Sequence, residues 1–195
     1  MELNSLTDVL VDELGDIYSA EQQLVDALPR LAAAAHSYEL RDAVEHHLGE
    51  TRIHVQRLQE IFDDMGIRFA PAKSCKAMEG LVAEVDEIAA STGDPVSLDV
   101  ALIGVAQQIE HYEIASYGTA RALAGELGLT KSSSLLDRTL EEEARADKSL
   151  TKLAAGGMLS SGINRLAAQR SDAVEAGAEA SDDQVAVGEG SGAPG

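Results

Sequence analysis

Glu110 and Glu113 stand one helical turn apart within an apolar series formed by Leu102, Val105, Ile109, Ser116, Ala120, Leu123 and Leu127. Spacings of three, four and seven trace one face of a helix, so both carboxylates point to the same side. An ionised carboxylate in an apolar interior is costly unless it is protonated, ion-paired or bound to a metal. Three other stretches raise the same question. Glu21 takes the missing place in the series Leu10, Leu14, Ile17, Leu24, Leu28, Leu31 and Ala35. On the next stretch the series Leu40, Val44, Leu58, Ile61 and Met65 is interrupted by His47, Thr51 and His54, with Glu50 beside them. Glu143 and Asp147 fill the gap between Leu136, Leu140, Leu150 and Ala154.

Carboxylates and imidazole converging at one level of a helical bundle are the donor set that a pair of iron or manganese ions requires. The candidate ligands are Glu21, Glu50, His54, Glu110, Glu113, Glu143 and Asp147. Their six carboxylates carry about −6, against about +4 from two divalent ions. The excess predicts that some of them are protonated or stand behind the ligands, or that the ions are trivalent. Such an oxygen-rich set favours iron(III) over iron(II). The spacing Glu50-x-x-x-His54 is repeated by Glu143-x-x-x-Asp147, which suggests a pseudo-twofold pair of helices. His47 lies three residues before Glu50 on the same face, so whether His47 or His54 is the imidazole ligand stays open.

The elements that must carry these groups are four long helices. The first begins at a hydroxyl cap, Ser5 or Thr7, and runs to about Ala35, with Pro29 read as a kink. The second follows Ser37 and ends at Gly66. After a loop containing Pro71, a short helix spans about Cys75 to Ala90, and Ser91 to Pro95 breaks the chain. The third long helix runs from Val96 to Leu127, and the fourth from Thr130 to Gly156. Short connections and one long crossover define an all-α four-helix bundle with a short extra helix in the crossover. Residues 1–156 are expected to form the bundle. Residues 157–195 are expected to be a flexible acidic tail rich in Gly, Ala and Ser, with at most a short helical turn over Ile163 to Gln169.

Composition narrows the function classes. The 195 residues include 45% hydrophobic positions and no Trp, and carry a formal net charge of −19. That charge argues against nucleic acid and anionic membrane surfaces and permits a protein that gathers cations. The single cysteine, Cys75, excludes an internal disulfide framework and a Cys-rich zinc site. It opens the short helix and is read as a partly buried thiol. No basic-then-apolar leader and no membrane-length apolar run is present, so the cytoplasm is the expected location.

The runs Asp12-Glu13-Leu14, Tyr18-Ser19-Ala20-Glu21-Gln22-Gln23-Leu24, Cys75-Lys76-Ala77-Met78-Glu79-Gly80-Leu81, Glu110-His111-Tyr112-Glu113-Ile114-Ala115-Ser116-Tyr117-Gly118-Thr119 and Glu141-Glu142-Glu143, with Glu50 and His54, occur in this order. They resemble the YciE/YciF-type ferritin-like proteins of bacteria over about residues 5 to 155. The Glu110-x-x-Glu113 pair is also similar to rubrerythrin. The resemblance implies a ferritin-like bundle, homodimers, a dimetal site and a link to stress responses. It brings no defined reaction.

The expected function is therefore a dimetal-carboxylate protein holding two iron ions, which binds iron(II) and oxidises it with oxygen or peroxide. In this reading Glu21 and one of Glu110 or Glu113 cap the ions. Glu50 and Glu143 bridge or flank them, and His54 and Asp147 are terminal donors. Tyr18, Tyr112 and Tyr117 are candidates to hydrogen-bond the ligands from behind. The alternatives are manganese with catalase-like peroxide disproportionation, and a non-catalytic structural or dimerisation bundle.

Overall fold

The computed structural model describes residues 3–67, 74–157 and 160–173. The loop around Pro71 and the tail beyond residue 173 lie outside the described residues. Five helices account for most of the rest: α1 (Leu6–Ala34), α2 (Tyr38–Asp64), α3 (Lys76–Ala89), α4 (Pro95–Glu126) and α5 (Thr130–Ala155). The chain then forms a two-residue antiparallel pair, Gly156–Gly157 with Ser160–Ser161, and is helical again over 163–173. No helix among the described residues is long and apolar enough to cross a membrane.

Local chemistry sets the ends of the helices. Ser5 Oγ accepts from Asp8 N and starts α1, Ser37 Oγ accepts from Leu40 N and starts α2, and Asp94 accepts from Val96 N and Ser97 N ahead of Pro95. At the end of α4, Gly128 takes φ 71, a left-handed value that glycine adopts without strain. Leu129 N then bonds Ala124 O and Gly128 N bonds Gly125 O, which satisfies the last carbonyls and turns the chain into α5. Pro29 is exposed within α1, which is one helix to Ala34. A cap that local sequence does not announce comes from α4. The buried Asp99 accepts from His36 N and Ser37 N at 2.8 and 2.7 Å and so ties the entrance of α2 to the bundle.

Helices α1, α2, α5 and α4 form the four sides, each packed on the next, while α3 lies across α1 and α4. This is the all-α bundle with one long crossover that the periodicity predicts. Its apolar interior is divided. One cluster gathers Leu24, Leu28, Leu31, Leu40, Val44, Leu102, Ile109 and Leu150. The other gathers Leu10, Leu14, Ile17, Leu58, Ile61, Tyr117, Ala120 and Leu136. Between them lies a layer of buried charge.

Candidate metal centre

The layer is built from one or two side chains of each long helix. Glu21 comes from α1, His47 and His54 from α2, Glu110 and Glu113 from α4, and Glu143 from α5; all six are at most 5% exposed. Ligand atoms of Glu21, His54 and Glu143 lie within 4.8 Å of one another, and so do those of His47, Glu110, Glu113 and Glu143. Glu143 belongs to both sets. Each set offers one imidazole and two or more carboxylates.

His54 is held on both sides. Its Nε2 lies 3.0 Å from Glu142 Oε2, and its Nδ1 faces Glu143 Oε1 at 2.9 Å and Glu21 Oε1 at 3.4 Å. Arg57 pairs with both oxygens of Glu142 and donates to Thr139 Oγ1 at 3.0 Å. A proton on Nε2, donated to Glu142, leaves the Nδ1 lone pair aimed between Glu21 and Glu143. Behind metal-bound imidazoles an outer carboxylate of this kind fixes the tautomer and the ring orientation. Partial burial pushes the Glu142 carboxyl up, but Arg57 and His54 outweigh it and hold it down at about 2. On the other side Tyr117 donates its hydroxyl to Glu21 Oε1 at 2.5 Å. Burial and the neighbouring Glu21 keep that phenol neutral.

His47 is less closely held. Its Nε2 is 3.4 Å from Glu110 Oε1 and 3.8 Å from Glu143 Oε2, while Nδ1 points toward Glu50 Oε2 at 3.9 Å.

The layer is electrostatically incomplete as a protein-only arrangement. Among the described residues, the fully buried side-chain atoms without a hydrogen-bond partner are Glu21 Oε2, both nitrogens of His47, His54 Nδ1, Glu110 Oε2 and both oxygens of Glu113 and Glu143. All of them belong to the six residues of the layer. Buried polar groups are ordinarily satisfied, so such a concentration calls for a physical cause. Burial raises the Glu113 carboxyl well above its usual range, with Glu143, Glu21 and Glu110 adding repulsion. Burial also raises Glu21, and lifts Glu110 to about 8 despite the nearby His47. For the imidazoles burial disfavours the charged form, but the carboxylates win. Glu110, Glu50 and Glu143 raise His47 to about 9, and Glu143 and Glu21 raise His54 to about 10. Without another cation, protons must supply the missing positive charge.

Two expected ligands stay outside both sets. Glu50 is 22% exposed in its side chain and lies between His46 and His47. Asp147 is 21% exposed, accepts from Gln107 Nε2 at 3.2 Å and faces His111 at 3.3 Å. Glu50 stands to the solvent side of the buried line His47, Thr51 and His54 on α2, while Asp147, in register with Glu143 and Leu150 on α5, turns its carboxylate to Gln107 and His111. His47 takes a place in the layer together with His54. The two imidazoles are seven residues apart on the buried series, a signal that outranks the four-residue Glu50–His54 spacing. Arg57 and Glu142 had no separate signal, since a lone Arg or one Glu of the run Glu141-Glu142-Glu143 reads as surface. Of the tyrosines, Tyr117 touches the layer through Glu21. Tyr18 accepts from Gln59 Nε2, and Tyr112 Oη lies 2.9 Å from the Sγ of the buried Cys75.

An all-α ferritin-like bundle with a buried histidine–glutamate cluster able to hold metal is the class that this fold and layer define. The chain belongs to the family described as a domain of unknown function, DUF892, which it matches over residues 5–165. It is 43% identical over 154 residues to Protein YciF of Escherichia coli K12, covering 79% of this chain and 93% of that one. The crystal structure of the E. coli stress protein YciF superposes with a TM-score of 0.75 at 42% identity, covering 77% of this chain and 95% of that chain. YcfI of Rhodopseudomonas palustris, a proposed structural protein, gives 0.75 at 38% identity over 78% and 97% of the two chains. A protein of Xanthomonas campestris, at 20% identity and a TM-score of 0.58 over 76% and 89%, shares the fold.

Proposed function

We propose that the protein binds two iron ions in the buried layer and oxidises iron(II) with oxygen or peroxide, in protection against stress. The observation that supports this most is the confinement of the orphaned buried atoms to the six side chains of two sets that share Glu143. The donor chemistry fits. Mixed imidazole and carboxylate ligands suit iron and manganese, and four carboxylates against two divalent ions leave no net charge. The excess of negative charge that favoured a trivalent pair disappears once Glu50 and Asp147 are outside.

When bound, two iron(II) ions supply one electron each to the oxidant. The protein supplies everything else. Glu143 belongs to both sets and would serve as a ligand in either. Glu21 and His54 would hold an ion in one set, and His47, Glu110 and Glu113 in the other. Glu142, backed by Arg57, holds the His54 proton at Nε2 and keeps Nδ1 free as a donor. Tyr117 fixes one oxygen of Glu21 and leaves Oε2 free. The apolar clusters above and below surround the layer with low-dielectric material, which strengthens each electrostatic contact.

Anaerobic iron(II) titration followed by addition of oxygen or peroxide tests the reading. Stoichiometric binding and a ferric absorbance are expected, and both should be lost in a Glu21→Ala, Glu113→Ala double variant. Unchanged iron binding in that variant would reject it. A manganese-loaded protein that releases oxygen from peroxide would favour the catalase-like alternative. The description of the R. palustris relative favours a second reading, a structural bundle. That bundle would purify without metal and melt at one temperature with or without iron.

A further inference from the structure

The two halves of the layer differ in their surroundings. Glu21, His54 and Glu143 are 0% exposed, shut in by Tyr117 and by the Arg57–Glu142 pair. His47 and Glu110 instead form the inner end of a cavity of about 300 Å³ that opens between α2 and α5. Its walls are mostly aliphatic and include Leu28, Leu31, Val44, Ile109 and Leu150. Its mouth carries both signs of charge, Asp42 and Glu50 with His46 and Arg145.

Neither oxygen nor hydrogen peroxide needs such a chamber. Both are far smaller than the cavity, and aliphatic walls offer hydrogen peroxide no hydrogen bonds. Small-molecule sites are typically concave and apolar with a few polar groups at one place, and here those groups are His47 and Glu110. The charge pattern selects the head group. The mouth sets Asp42 and Glu50 against His46 and Arg145 and so holds no excess of positive charge to draw in a carboxylate. A neutral polar head on a compact apolar body fits both the walls and the inner end.

We propose that this cavity binds small organic hydroperoxides, R–OOH, with R along the aliphatic walls and the peroxide end at His47 and Glu110. The inference rests on the dimetal reading above and names the oxidant class for it. The balanced step is two iron(II) plus R–OOH plus two protons, giving two iron(III), R–OH and water. The O–O bond breaks, the iron is oxidised and the peroxide is reduced.

The test uses 2-phenyl-2-propanol, the unreactive alcohol product of cumene hydroperoxide, and benzoate as an anion of similar size. Binding of each to the full chain is followed by ligand-observed NMR, in wild type and in Ala146→Leu and Ala43→Leu, which place added methylenes in the cavity lining. The alcohol should bind at least about tenfold more tightly than benzoate, and each variant should weaken it by about tenfold or more. In iron(II)-loaded protein the variants should slow oxidation by cumene hydroperoxide about as much, with the hydrogen peroxide rate within about twofold of wild type. Absence of alcohol binding, tighter binding of benzoate, or equal slowing of both oxidants would overturn the assignment. A failure of iron binding would defeat the dimetal reading and leave the alcohol measurement to decide on the cavity.

Discussion

Glu113 is the side chain whose presence is hardest to explain without a cation. Both its oxygens are buried and unpartnered, and its neighbours Glu143, Glu21 and Glu110 repel it. Glu113→Leu should therefore stabilise the metal-free protein by about 1–3 kcal/mol while weakening metal binding, because buried ionisable groups are commonly worth less to stability than apolar replacements. Chemical denaturation of both proteins without metal checks the sign. A loss of stability in the variant would show that Glu113 is there for folding. Arg57 predicts the opposite sign. Its removal in Arg57→Met leaves Glu142 with His54 and the more exposed Arg138 and should cost about 1–3 kcal/mol, the worth of hydrogen bonds to a charged group. It should also lower metal affinity by about 10–100-fold, as loss of an outer partner does. The metal-free melting curve and a metal titration report the two effects separately.

Residue-level legibility followed burial more closely than spacing. Glu21, Glu113 and Glu143 interrupt apolar series, and those interruptions were readable. His47 was readable for the same reason, as a member of the buried line of α2, yet the Glu50–His54 spacing competes with it. Glu50 and Asp147 lie at the margins of the buried series, where their carboxylates meet His46, His47, Gln107 and His111 and are partly exposed. The pairing of Glu142 with Arg57 depends on how α5 packs against α2, which no local pattern encodes.

At the scale of elements, the helices and their order were legible because their stripes are long and their stops are strong. Gly66 and Gly128 end α2 and α4 where the sequence places them. The entrance of α2 was not fully legible. Ser37 is a visible cap, but Asp99, sixty-two residues later, accepts the Ser37 N–H and its neighbour. Asp99→Ala should destabilise the protein by about 1–3 kcal/mol, the worth of two hydrogen bonds to a buried carboxylate. Hydrogen exchange should quicken at His36 and Ser37 well before α5 is affected. Uniform loosening of all helices would contradict a local role. The chain after α5 follows the same logic. A short helical turn was expected near Ile163, and the helical stretch covers 163–173, with Ile163 in the apolar cluster of one end.

For the whole molecule, the charge layer makes folding depend on pH in a defined direction. In the metal-free protein Glu110 is raised from an ordinary 4.5 to about 8, and Glu113 and Glu21 are raised as well. The folded state then keeps protons that the unfolded chain has released, so stability falls as pH rises through that window. His47 and His54 are raised from 6.5 to about 9 and 10. Their contribution is complete below 6.5 and is lost as pH rises through those values. Glu142 acts the other way, stabilising above its ordinary 4.5 and failing as pH drops toward 2. The metal-free melting temperature should therefore decline from about pH 5 to pH 9. Metal binding releases the same protons, so the rise in melting temperature on adding iron(II) without oxygen should grow over the lower part of that range. A pH-independent difference would disconnect the metal from the layer.

Anomalous diffraction at the iron edge, from crystals of the protein loaded with iron(II) without oxygen, bears on all of this at once. Two peaks are predicted inside the bundle. One should lie among Glu21, His54 and Glu143, the other among His47, Glu110, Glu113 and Glu143, with Glu143 reaching both. An interior without peaks, or iron seated only on surface carboxylates, would contradict the assignment of this layer as a metal centre.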